Sequence, residues 1–94
     1  MTGQSGTLDP RRRRALYRAW HRGTREMDLL LGRFADAHIE KLSDRDLAEF
    51  EALIDYPDDE LFGWIVRGDP VPEKFATPVL ASIIARYAKD HDNC

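Results

Sequence analysis

Ninety-four residues with 43% hydrophobic and 33% charged side chains describe one small globular domain, neither a disordered segment nor a membrane-embedded one. No uninterrupted apolar run is longer than Val79–Ala81, and a lone cysteine, Cys94, makes no internal disulfide, which fits a reducing compartment. The net charge of -3 hides an uneven distribution: up to residue 25, seven arginines face only Asp9, a balance of +6 that leaves -9 on the remainder. Either a basic first helix on an acidic body steers association, or the two halves neutralise each other within the fold.

The hydrophobic pattern is helical nearly everywhere. Asp9 before Pro10 reads as an N-cap with proline at the first helical position, and Ala15, Leu16, Ala19 and Trp20 form the apolar stripe of a helix over 10–21. Gly23 interrupts the chain. A second helix then carries Met27, Leu30, Leu31, Phe34 and His38 at 3.6-residue spacing, with Gly32 a candidate bend. Ser43 and Asp46 form a capping-box variant that opens a third helix, with Leu47, Phe50, Leu53 and Ile54 inward. Acidic Asp58, Asp59 and Glu60 start a fourth helix, in which Leu61, Phe62, Trp64 and Ile65 follow and which ends at Gly68. After the loop Asp69-Pro70-Val71-Pro72, Thr77-Pro78 opens a fifth helix with Val79, Leu80, Ile83, Ile84 and Tyr87 buried. No segment alternates like a strand. The expectation is an all-α, single-domain five-helix bundle over 9–89, with a flexible leader over 1–8 and a flexible tail over 90–94. The leader has no apolar core for a secretory signal, and Asp9-Pro10 argues against a mitochondrial presequence, so a cytoplasmic protein is expected.

The groups for catalysis do not converge. His21, His38 and His91 have no metal-ligand spacing and no second cysteine beside them, so no metal site is expected. Ser43 is a cap, Ser5 lies in the leader, and Ser82 has no histidine near it in sequence. The glycines form no phosphate-binding loop, and Asp44, Asp46, Glu49 and Glu51 read as a solvated helix face. The sequence therefore points away from an enzyme.

The second helix holds what the core does not need. Arg22 and Glu26, four apart, fall on a side away from the apolar stripe, with Leu29 and Arg33 projecting near them. A leucine between opposite charges is what a small binding patch looks like, and Gly23 lets a partner backbone approach. The competing interpretation is an intrahelical Arg22–Glu26 ion pair worth about 0.3–0.5 kcal/mol, with Gly23 a plain hinge.

The run Trp20-His21-Arg22-Gly23-Thr24-Arg25-Glu26-Met27-Asp28 resembles the Arg-Gly-x-x-Glu signature of the SdhE family of succinate dehydrogenase assembly factors. Downstream, Asp59-Glu60-Leu61-Phe62-Gly63-Trp64 resembles that family's acidic-x-Leu-Phe-x-Trp segment, and the likeness extends from Arg12 to Tyr87. The resemblance implies a factor that binds the flavoprotein subunit of succinate dehydrogenase, or of fumarate reductase, and promotes covalent attachment of FAD. Arg22, Gly23 and Glu26 are the implied partner-binding residues, with Trp20, Arg25, Asp28 and Leu29 as possible support. The bond joins a client histidine to the flavin, so the chemistry belongs to client and cofactor. Stable FAD binding by so small a bundle is not expected, and the free chain is expected to be a monomer. Two other classes compete. A regulatory or antitoxin-like interaction module would use the same face. A nucleic-acid-binding protein would use Arg11–Arg14, but the acidic body argues against it.

Overall fold

The computed structural model describes residues 8–90, and within them the chain forms five α-helices and no strand. Helix α1 spans Pro10–Trp20. Its cap is as the sequence predicts: the Asp9 carboxylate accepts the Arg12 N–H at 2.8 Å, and Pro10 opens the helix. Helix α2 spans Arg25–His38 and α3 spans Asp44–Ile54. The Ser43 hydroxyl caps α3 by accepting the Asp46 N–H at 3.0 Å. Helix α4 is short, Asp58–Phe62, and helix α5 spans Pro78–Asp90 behind Thr77, whose hydroxyl accepts the Leu80 N–H at 3.2 Å.

Three features depart from the sequence expectation. The fourth helix is not uniform: past Phe62 it widens into a π-helical turn over Gly63–Arg67, which ends on Gly68 at φ 76°, a left-handed conformation that glycine adopts without strain. The Gly63 carbonyl accepts the N–H groups of both Gly68 and Asp69, which closes the turn. A 3-10 turn over Glu73–Phe75 stands between the expected loop and α5. Leu8, assigned to the leader, is buried in the core at 4% exposure, and Asp90, assigned to the tail, is the last residue of α5. The leader over 1–7 and the tail over 91–94, with His91 and Cys94, lie outside the described residues.

Helix α1 packs across α2 and α3, α3 packs on α5, and α5 also covers α2 and the π-helical turn. The core they enclose is apolar throughout, with Phe34 against Phe50 at a centroid separation of 5.6 Å and Met27, Leu31, Leu47, Leu53, Leu61 and Leu80 around them. A second aromatic group, Tyr56, Trp64 and Phe75, closes the other side, each ring within 5.4 Å of the next. His38 lies outside this core, its ring 4.7 Å from that of Phe34. Gly32 does not interrupt α2, which runs unbroken over Arg25–His38. It is buried beneath Trp20, and a Cβ there would overlap the indole.

Candidate protein-interaction site

The segment between α1 and α2 determines how the motif residues are presented. His21 ends α1, its ring stacked on Tyr17 at 3.9 Å. Gly23 then turns the chain at φ 114°, and Thr24 caps α2 by accepting the Met27 N–H at 3.2 Å. Arg22 therefore does not lie on α2, and the expected i, i+4 pairing with Glu26 does not form. A side chain at φ 114° is strained, so Gly23 stops any helix from running through Arg22 into α2.

Arg22 turns inward. Its Nε donates to Asp58 at 2.9 Å, Nη2 lies 2.7 Å from the same carboxylate and donates to the Tyr56 carbonyl at 2.8 Å, and Nη1 donates to the Ile54 carbonyl. Only 10% of its side chain is exposed. One guanidinium thus ties the α1–α2 loop to the end of α3 and the start of α4. Asp28 completes the brace, accepting the Arg22 backbone N–H at 2.6 Å. Trp20 is likewise engaged in the fold: it covers Gly32 and its Nε1 donates to Asp36 at 3.1 Å.

The outward group is smaller than the sequence suggested. Gly23, Arg25 and Glu26 are exposed, Leu29 is half-buried, and neither Arg25 nor Glu26 has an ion pair among the described residues. A Cβ placed on Gly23 would meet nothing within 4 Å, so the backbone there is open to approach. Two depressions flank this ridge and share Leu29. One, open and about 570 Å³, runs over Trp20, His21, Gly23, Thr24, Arg25 and Asp28. The other is a groove of about 220 Å³ between α2, the turn after α4, and α5. Glu26, Leu29 and Arg33 form its α2 edge, with Leu30, Phe62, Val66, Ile83 and Tyr87 beneath.

Phe62 and Val66 are the lining residues that periodicity alone conceals. In the Leu-Phe-x-Trp segment Leu61 and Trp64 enter the core while Phe62 stays half-buried and lines the groove, so the two sequence segments that resemble one family meet at one place. The N-terminal arginines, by contrast, are mostly engaged within the fold: Arg11 with Glu51 at 2.8 Å, Arg12 with Asp9 and the Ile39 carbonyl, Arg13 with the Leu8 carbonyl, and Arg18 with Asp55. Among the described residues no cluster of His, Cys, Asp or Glu could hold a metal ion, and no helix is long and apolar enough to cross a membrane.

Fold and site together define a small helical protein-interaction module, with an exposed loop-and-helix ridge over an apolar groove. Comparison with known proteins identifies which one: the chain belongs to the SdhE family, since residues 13–87 match the family model described as flavinator of succinate dehydrogenase, a family of assembly factors and not of enzymes. It is 40% identical over 77 residues to the FAD assembly factor SdhE of Acetobacter pasteurianus, covering 82% of this chain and 71% of that protein. It is 41% identical over 83 residues to the mitochondrial succinate dehydrogenase assembly factor 2 of Dictyostelium discoideum, covering 88% of this chain and 58% of that one. The Yarrowia lipolytica protein of the same name is 37% identical over 79 residues, and the chain spans only 54% of its length. No solved structure matches the chain.

Proposed function

We propose that this chain binds the flavoprotein subunit of succinate dehydrogenase, or of fumarate reductase, and promotes covalent attachment of FAD through the ridge that Arg22 braces from within and that presents Gly23 and Glu26. One observation carries the reading: the Arg-Gly-x-x-Glu segment is held by an internal brace at Arg22 while Glu26 faces outward without an ion pair among the described residues. Arg22 acts through the loop it fixes. Glu26 offers its carboxylate to backbone N–H groups or an arginine of the client, and Gly23 admits a client backbone. Trp20 and Asp28 support the loop from within, and Arg25 and Leu29 extend the contact.

The factor binds, as a monomer in the cytoplasm, an immature client conformer in which the client histidine faces the flavin, and FAD stays with the client. A binder shifts such an equilibrium only by its differential affinity for the two conformers, and about 2.7 kcal/mol changes the population ratio a hundredfold. Glu26→Ala removes an exposed carboxylate, so the melting temperature is expected to stay within about 4 °C of wild type. In cells lacking the native protein, this variant is expected to leave the denatured flavoprotein band without covalent-flavin fluorescence. Full fluorescence with Glu26→Ala would refute the role of Glu26, and full fluorescence without any factor would refute the reading for that client.

A further inference from the structure

The groove beside Glu26 has a size and a charge arrangement that specify what enters it. At about 220 Å³ it lies below the range of about 300–1,000 Å³ typical of small-molecule and cofactor sites, and it matches one large side chain. Its floor is apolar, built from Leu30, Phe62, Val66, Ile83 and Tyr87. Two guanidinium groups line it. Arg33 is exposed and has no ion pair among the described residues. Among the described residues the buried Arg86 Nε has no hydrogen-bond partner, and the carboxylate that pairs with it, Asp90, sits at 3.8 Å, an ion-pair contact beyond hydrogen-bonding reach. Glu26 lies on the same edge of α2, seven residues before Arg33 and about 10 Å along the helix at 1.5 Å per residue.

We propose that this groove receives a segment of the flavoprotein client that carries one large apolar side chain beside an acidic residue, the apolar group on the floor and the carboxylate on Arg33. The proposal rests on the client-binding reading of Glu26 and extends it to α5 and the turn after α4. A buried apolar anchor ringed by polar contacts is the arrangement that concentrates binding energy at protein interfaces.

The test uses the purified chain, the purified apo-flavoprotein subunit of succinate dehydrogenase, and short overlapping peptides that tile that subunit. Leu29→Glu and Arg33→Glu are each expected to weaken binding of the intact subunit about tenfold or more. The peptides that bind wild type are expected to pair a large apolar residue with a neighbouring Asp or Glu and to be lost with Arg33→Glu. Should Leu29→Glu melt early, Arg33→Glu still decides, because its side chain is exposed and pairs with no carboxylate among the described residues. Equal affinity of wild type and both variants overturns the groove while leaving the client reading intact. Failure of the wild type to bind the subunit overturns both. Bound peptides without an acidic residue, or self-association of the free chain abolished by Leu29→Glu, also overturn the proposal, the latter by showing a second copy as the occupant.

Discussion

Arg22 shows how far one side chain can reach. Its acceptors, Ile54, Tyr56 and Asp58, lie 32, 34 and 36 residues away in sequence, and all three are on the segment that joins α3 to α4. Truncation leaves a half-buried carboxylate and two carbonyls without their donor, at a cost of about 1–3 kcal/mol. Arg22→Ala is therefore expected to lower the melting temperature by about 4–20 °C, with Arg22→Lys intermediate because an ammonium cannot reproduce the fork. Thermal melting followed by circular dichroism separates this from Glu26→Ala: both variants impair flavinylation, but only Arg22→Ala loses stability. An Arg22→Ala protein as stable as wild type would contradict the brace.

Between elements, α1 meets α2 where the Trp20 indole covers Gly32. In an exposed helix a Gly→Ala change stabilises by about 1 kcal/mol. Here the added methyl overlaps an indole that is also held by its Nε1 bond to Asp36, and overpacking of this kind costs about 1–3 kcal/mol. The steric term outweighs propensity, so Gly32→Ala is expected to be destabilising, and Trp20→Leu is expected to reverse its sign by opening space. A double-mutant cycle on melting free energies measures that coupling, and additivity of the two changes would show that the helices do not meet there.

Across the whole molecule the basic N-terminal region is clamped to the acidic body. Arg11, Arg18 and Arg22 reach Glu51, Asp55 and Asp58, so the charge imbalance along the chain becomes local pairing in space. The hydrogen bond from Arg11 holds the Glu51 carboxyl below its ordinary value, and the Arg12 backbone N–H does the same for Asp9. Both groups bind protons more weakly in the folded chain than in the unfolded one. Their stabilisation is present above the ordinary carboxylate range, near pH 4, and is lost as pH falls through the lowered folded values. Melting temperature is thus expected to drop between about pH 5 and 2, and Glu51→Gln to flatten that decline while lowering stability at pH 7. An acid limb unchanged by Glu51→Gln would remove this pair from the account.

Much of the architecture was legible from residue order. The caps at Asp9, Ser43 and Thr77, the stop at Gly68 and the inward residues of α3 follow from contacts within one turn or from the period of an element, and such local rules need no knowledge of the rest of the chain. The motif segment itself was also legible, through Arg22, Gly23 and Glu26 at their spacing. What the sequence could not supply was the direction in which Arg22 points, because its partners are remote in sequence and only the packing of α1 against α3 brings them within reach. The same holds for the groove: Leu29, Phe62 and Tyr87 belong to three separate segments, and periodicity reports which face of each is apolar without saying where three such faces leave a gap. Local chemistry determined the elements. Their tertiary arrangement decided which motif residues became struts and which stayed open to a partner.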